Sequence, residues 1–197
     1  MTTAIILAAG SSSRMGRQKL LMELNGKAIM NRVIEQVTAS NCFDEIILVY
    51  YEYAVKQAAE GYDLKLVHNP SPVLGLSSSL KLGIEAADER AGEYMFFMGD
   101  QPFISPAIIE KLMDEYSKTE KSILIPVYNG SNGMPTIFSS KWKVEFMELS
   151  GDTGGREIVK KHPEEVCYVE QNDSIAGMDI DTHEAYQKAL KIVKANS

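Results

Sequence analysis

The chain has 197 residues, a formal net charge of −7 and two cysteines. This length predicts a single domain over 1–197 with a large buried core, and the acidic balance argues against a general nucleic-acid binder. No apolar segment is long enough to span a membrane, and no basic region precedes the first apolar run as in a signal peptide. Cys42 and Cys167 are solitary and far apart, which disfavours a disulfide framework or zinc site. We therefore expect a cytoplasmic protein with no membrane partner.

The first predicted element is an apolar strand over 4–8, which ends in a loop of small and cationic residues. Residues 10–19 hold two glycines, three serines and three cations. Glycine lets the backbone curl close to a ligand, and the N–H groups of such a curl form an anion-binding concavity. Arg14 and Lys19 add full positive charge. The loop predicts a polyphosphate site; the alternative is a flexible surface loop after an edge strand.

Two well-known phosphate loops do not fit this segment. A Walker loop needs G-x-x-x-x-G-K-[ST], but five residues separate Gly10 from Gly16, and Arg17 follows. The dinucleotide fingerprint G-x-G-x-x-G does not occur in the chain. The loop therefore predicts a phosphate site of a different kind.

Strand-like and helix-like segments alternate along the rest of the chain. Strands are predicted at 4–8, 45–50, 64–68, 94–98 and 122–127, and helices near 28–39, 52–59, 77–90, 105–118, 139–149, 154–161 and 182–194. Such alternation predicts an α/β fold whose mostly parallel sheet is flanked by helices. Region 129–138 departs from it, because Asn129-Gly130 is a turn signal and an antiparallel strand can begin at Pro135.

The strand at 94–98 runs directly into Gly99 and Asp100. Ligands of open α/β sheets bind beyond the carboxyl ends of the strands, so Asp100 and Gly10 are expected to meet there. Magnesium takes one or two carboxylates plus substrate phosphates, which makes Asp100 a candidate metal ligand. The alternative is that Asp100 starts or caps a turn.

A second carboxylate is expected from the segment before the last helix, which carries Asp179 and Asp181. If this segment is extended, we expect the two carboxylates to point to opposite faces, so that only one faces the site. The alternative role for Asp181 or Thr182 is to cap the last helix, with Glu184 in its first turn.

Several motifs in order resemble those of the molybdenum cofactor nucleotidyltransferases, of the cytidylyltransferase-like (MobA-like) type. They are the loop from Leu7 to Gly16 with Lys19, then Gly99-Asp100-Gln101-Pro102, Gly133-Met134-Pro135, Gly151-Asp152-Thr153-Gly154-Gly155-Arg156 and Asp179-Ile180-Asp181-Thr182. The resemblance covers almost the whole chain. It implies a three-layer, Rossmann-like nucleotide-diphospho-sugar transferase fold with an antiparallel insertion. It also implies Mg²⁺-dependent transfer of a nucleoside monophosphate to a phosphorylated acceptor, with release of pyrophosphate.

The resemblance also implies roles for particular residues. The catalytic set is Arg14, Lys19, Asp100 and Asp181, with Asp100 and Asp181 as Mg²⁺ ligands and Asp179 orienting the loop. The nucleotide-binding set is Leu7, Ala8, Ala9, Gly10, Ser11, Ser12, Arg14, Lys19, Gly75, Ser77, Ser78 and Ser79. The acceptor-binding set is Gly133, Pro135, Asp152, Gly154 and Arg156. For Ser77, Ser78 and Ser79, plain helix capping is the alternative, and for Arg156 it is an ordinary helix-face position.

The resemblance leaves the substrates partly open. The guanylyl-transferring relatives carry two consecutive glycines where this chain has Ala9-Gly10, so we expect CTP rather than GTP. Residues 129–132 lack the basic character usual before Gly133, which leaves molybdopterin as one possible acceptor, with a molybdoenzyme or its chaperone as a possible partner. The alternatives are a guanylyltransferase, a sugar-1-phosphate nucleotidyltransferase and a non-catalytic nucleotide- or cofactor-binding accessory protein.

Overall fold

A computed structural model of the chain describes residues 1–10, 18–173 and 175–195. Its strands are β1 (Thr2–Ala8), β2 (Glu23–Leu24), β3 (Lys27–Ala28), β4 (Glu45–Tyr50), β5 (Lys65–His68), β6 (Glu93–Met98), β7 (Ile123–Tyr128), β8 (Ser131–Asn132), β9 (Thr136–Ser139) and β10 (Val166–Gln171). Its helices are α1 (Ile29–Ala39), α2 (Tyr53–Ala59), α3 (Leu76–Ala86), α4 (Pro106–Lys118), α5 (Lys143–Glu148), α6 (Gly155–Lys161) and α7 (His183–Ala195). None of these helices is both long and apolar enough to cross a bilayer.

The main sheet has the strand order β10-β7-β9-β6-β1-β4-β5, with β8 paired to β7. β1 is an interior strand and runs parallel to both neighbours, β4 and β6. β9 is antiparallel to β6 and β7, whereas β10 is parallel to β7. The sheet is therefore mostly parallel with an antiparallel insertion, which confirms the predicted fold class.

Helices cover both faces of the sheet, because alternate residues of each strand point to opposite sides. On one face Ala4 and Ile6 of β1 share an apolar cluster with α1, α2 and α4. On the other face Ile5 and Leu7 share a second cluster with α3, α5 and α6. β1 is buried along its whole length, as expected for a strand covered on both sides. The result is the three-layer arrangement that the family resemblance implied.

The sequence patterns located most elements within two residues of their observed bounds, including β4 at 45–50. The predicted helix near 77–90 ends earlier, at Ala86. The helix predicted at 139–149 is a 3-10 turn over Ser140–Trp142 followed by the short α5. Among the described strands, β8, β10 and the β2–β3 hairpin were not predicted.

The β2–β3 hairpin and α7 form a third small cluster beside the main sheet. Met22, Leu24 and Ile29 pack there with Ile180 and Ala189. This packing brings the start of α7 close to the 3-10 turn over residues 19–21, although most of the chain separates them in sequence.

Candidate active site

The carboxyl ends of β1 and β6 lie side by side and place Asp100 at the sheet edge. Leu7 pairs with Met98 in the parallel ladder, and the Gly99 amide donates to the Leu7 carbonyl at 3.0 Å. A side chain at Gly99 would lie 3.2 Å from that same carbonyl oxygen, so glycine permits this close approach. The meeting of the two strand ends is as the sequence predicted.

Lys19 joins the two predicted metal ligands. Its Nζ lies 2.5 Å from Asp100 Oδ2 and 2.5 Å from Asp181 Oδ1. The Asp100 side chain is 9% exposed, whereas that of Asp181 is 51% exposed. Burial alone would lower the pKa of Lys19, but the two carboxylates together raise it above its ordinary value. The structure thus brings together three residues that are up to 162 positions apart in sequence.

A third carboxylate, Asp179, also faces this site. The Gln101 Nε2 donates to Asp179 Oδ1 at 2.7 Å. Desolvation and the nearby charges of Asp100 and Asp181 raise the pKa of Asp179. The expectation that Asp179 and Asp181 point to opposite faces is therefore wrong. Residues two apart in an extended segment share a face, and it is the intervening Ile180, fully buried, that points into the core.

The residues present fit a divalent cation. Asp100 Oδ1 is buried and accepts no hydrogen bond from the described residues, and such an orphaned oxygen is costly without a partner. Two carboxylates and substrate phosphates are a typical magnesium ligand set. The described residues contain no cluster of three or more protein ligands. The described residues therefore suit a metal ion that is held jointly by protein carboxylates and nucleotide phosphates, rather than one coordinated by protein ligands alone.

Residues 75–79, here called the base segment, hold the predicted nucleotide-binding residues at the start of α3, and their hydroxyls bond within the protein. Ser77 Oγ donates to the Gly151 carbonyl at 2.8 Å, and Ser78 Oγ donates to the Gly75 carbonyl at 2.8 Å. The fully buried Asn69 donates through Nδ2 to Ser79 Oγ at 3.0 Å and to Ser78 Oγ at 2.9 Å. None of these bonds is a side-chain cap of α3. Contact of the serines with nucleotide stays a prediction.

The loop over residues 151–154, which carries the predicted acceptor-binding residues Asp152 and Gly154, packs directly against this base segment. Gly75 has φ +87, and a side chain there would lie 2.3 Å from the Gly151 carbonyl carbon and oxygen. Asp152 Oδ1 accepts from the Leu76 amide at 3.4 Å and so partners the start of α3. The loop and the base segment thus form one continuous surface, here called the 75–79/151–154 wall. Arg156, on α6, is exposed.

The remaining predicted residues lie around this centre or outside the described ranges. Ala9 is buried on the α3 side of the sheet, in one cluster with Leu80. Gly133 lies against the Tyr128 ring, 2.5 Å from where a side chain would project, and Pro135 follows at the start of β9. The predicted residues Ser11, Ser12 and Arg14 lie outside the described residues.

Two buried residues that organise the site, Asn69 and Gln101, were not predicted from the sequence. Asn69 directly follows β5, and an Asn-Pro pair at a strand end is a turn signal. Gln101 stands inside the motif quoted for Asp100, where only the aspartate drew attention. A buried amide at a strand's carboxyl end is the signal that could have found both residues.

Known proteins similar to this chain include nucleotidyltransferases of two specificities. A probable molybdenum cofactor guanylyltransferase of Natranaerobius thermophilus is 38% identical over 129 residues, 65% of this chain and 61% of that protein. The molybdenum cofactor cytidylyltransferase of Escherichia coli is 26% identical over 183 residues, 90% of each chain. The matched region thus spans less than two thirds of the first relative and most of the second.

Two solved structures share the fold. A nucleotidyl transferase from Methanothermobacter thermautotroptrophicus superposes with a TM-score of 0.86 at 23% identity, covering 100% of this chain and 99% of that one. Rv0371C from Mycobacterium tuberculosis, solved as a complex with manganese, has a TM-score of 0.78 at 25% identity and covers 96% and 98% of the two chains.

The three-layer fold and the relatives together define the class of the protein as nucleotidyltransferase. Within that class, residues 4–166 match the MobA-like NTP transferase domain. The chain belongs to this family.

Proposed function

We propose that this nucleotidyltransferase transfers the cytidylyl group of CTP to a phosphorylated acceptor of the molybdopterin type. An oxygen of the acceptor phosphate attacks the α-phosphorus of CTP, the bond to the β-phosphate breaks, and pyrophosphate leaves. The observation that carries the proposal is the Asp100–Lys19–Asp181 cluster at the sheet edge, with the orphaned Asp100 oxygen. Related proteins named for molybdenum cofactor nucleotidyl transfer support the choice of acceptor.

The protein's contribution is positioning and charge. Asp100 and Asp181 would hold Mg²⁺, which neutralises phosphate oxygens when bound. Lys19, together with Arg14, would hold the β- and γ-phosphates. To do so, Lys19 would give up a contact with a carboxylate and make one with a phosphate. The acceptor phosphate is already ionised near neutral pH, so no general base is required. His162, for example, is engaged with Glu145 at 2.9 Å, outside the cluster.

The preference for cytosine rests on Ala9. Its buried methyl lies on the α3 side of the sheet, in one apolar cluster with Leu80 of α3. A methyl group there narrows the space for a base, which disfavours a purine. The second candidate is guanylyl transfer, because a relative at 38% identity is named a probable guanylyltransferase.

The assay uses α-labelled CTP, Mg²⁺ and purified molybdopterin, and it detects both pyrophosphate and the labelled dinucleotide product. Sugar 1-phosphates replace molybdopterin in a parallel arm. Labelled product with molybdopterin supports the proposal. Product with a sugar phosphate alone would change the acceptor, and nucleotide binding without product would favour an accessory protein. A cytoplasmic location and delivery of product to a molybdoenzyme or its chaperone are further parts of this proposal.

A further inference from the structure

Gln101 links the strand end that carries Asp100 to the segment that carries Asp181. It is 6% exposed, and its Nε2 donates to Asp179 Oδ1 at 2.7 Å and to the Gly177 carbonyl at 3.4 Å. One main-chain bond runs beside it, from the Ile180 amide to the Asp100 carbonyl at 3.1 Å. Two adjacent residues of one strand end therefore hold the 177–181 segment in place.

Apart from its ion pair with Lys19, Asp181 has little support of its own. Its side chain is about half exposed, so packing does not fix where its carboxylate points. The buried Ile180 anchors the backbone on one side. Asp179, on the same face as Asp181, anchors it on the other through Gln101. The backbone that carries the Asp181 carboxylate is thus held partly by a hydrogen bond two residues away, and that bond does not depend on Lys19.

We infer that Gln101 is a positioning residue that, through Asp179, sets the separation of Asp100 and Asp181 and thereby the affinity of the site for a divalent cation. This inference rests on the proposed function, because it takes those two carboxylates as the metal ligands. It assigns Asp179 the role of an anchor whose oxygen accepts from an amide. The two side chains are chemically matched, because the Asp179 carboxylate accepts hydrogen bonds and the Gln101 Nε2 group donates them.

A set of four variants tests the pair. Gln101→Ala removes the donor. Gln101→Glu replaces it with a carboxylate that faces Asp179 and repels it. Asp179→Asn keeps an acceptor oxygen for Gln101. The double variant Q101E/D179N restores a donor–acceptor pair with its direction reversed and leaves the net charge of the site unchanged.

The primary readout is Mn²⁺ binding to the purified protein with CTP present, measured by electron paramagnetic resonance against a CTP-only blank, with melting temperature measured alongside. We expect Gln101→Ala to weaken Mn²⁺ binding about tenfold, Gln101→Glu to weaken it further, Asp179→Asn to weaken it less, and the double variant to recover most of the loss. In turnover assays, the Mn²⁺ concentration for half-maximal rate should rise in parallel, while kcat at saturating Mn²⁺ changes little.

Each outcome bears on the inference. Wild-type Mn²⁺ affinity in a folded Gln101→Ala variant would overturn it, and so would losses that follow melting temperature with no recovery in Q101E/D179N. If Gln101→Ala does not fold, the comparison of Gln101→Glu with the double variant decides. If the wild-type protein binds no Mn²⁺ with CTP present, the metal site of the proposed function fails, and the inference fails with it.

Discussion

At the scale of single residues, the site depends on a few buried charges. Asp100 is held by Lys19 on one oxygen and has its other oxygen buried without a hydrogen bond from the described residues. Its place at the end of a buried strand was readable from the sequence, because the run at 94–98 is apolar at nearly every position. The contact between Lys19 and Asp181 was not readable, since the hairpin and α7 that create it show no pattern linking them.

Replacing Asp100 by Asn should abolish turnover without unfolding the protein. The loss of one metal-centred charge should cost several kcal/mol of transition-state stabilisation, roughly a thousandfold in rate. Asp181→Asn should act in the same direction and Asp179→Asn more mildly. Initial rates at limiting Mg²⁺ measure the effect, with Asp114→Asn on the exposed face of α4 as the matched control. A folded Asp100→Asn enzyme with wild-type rate would contradict the assignment.

Replacing Lys19 by Ala should weaken binding of CTP more than binding of CMP. The β- and γ-phosphates that the ammonium would hold are missing from the monophosphate. Calorimetry with both nucleotides measures the difference, and Lys27→Ala, which removes an exposed ion pair with Glu35, is the control. Equal losses for CTP and CMP would show that Lys19 acts only on its carboxylate partners.

At the scale of elements, the packing of the 151–152 loop on α3 could not be predicted from the sequence, because Gly75 and Gly151 are far apart in the chain and meet only in the folded structure. Two other elements that were not predicted do have recognisable sequence signals. Asn25-Gly26 between β2 and β3 has positive φ at both residues, as in the two-residue hairpins that Asn-Gly favours. β10 gave a weaker signal, since only half of its residues are buried at the sheet edge.

Replacing Gly75 by Ala should disrupt the packing of the 151–154 loop against the start of α3. The new methyl would meet the Gly151 backbone at 2.3 Å, and φ at this position is +87, so we expect a loss of about 1–3 kcal/mol in the free energy of unfolding. The KM for CTP should also rise. Gly61→Ala is the matched control, because Gly61 has φ +102 but open space around it. Equal destabilisation by the two substitutions would mean that backbone strain, not contact with Gly151, is what matters.

At the scale of the whole molecule, the alternating pattern predicted the architecture, but not the strand order. The order depends on β9, whose antiparallel insertion between β6 and β7 follows a turn that the sequence signalled only locally at Asn129-Gly130. The two apolar faces of the sheet explain the fold's stability, and buried tyrosines on those faces make that stability sensitive to alkali.

The free energy of unfolding should fall as pH rises from 9 towards 12. Burial, with a smaller effect from Glu93, raises the pKa of Tyr116 to about 12, while an unfolded tyrosine ionises near 10. The stabilisation is therefore complete below about pH 10 and is lost as pH rises through the folded-state pKa. Urea unfolding at several pH values should give a shallower decline for Tyr116→Phe than for wild type. The exposed Tyr53→Phe should decline like wild type; an unchanged slope in Tyr116→Phe would contradict this source of sensitivity.

The most direct test of the proposed cytidylyl transfer is the ratio of kcat/KM for CTP to kcat/KM for GTP, measured with the same acceptor. Exclusion of the purine by Ala9 and different base-edge hydrogen bonds should supply roughly 2–4 kcal/mol of discrimination, about thirty- to a thousandfold in favour of CTP. Ala9→Gly should narrow that ratio without reversing it, because we propose that the 75–79 segment also contacts the base. A wild-type preference for GTP, or equal use of both nucleotides, would contradict the cytidylyl assignment and favour guanylyl transfer.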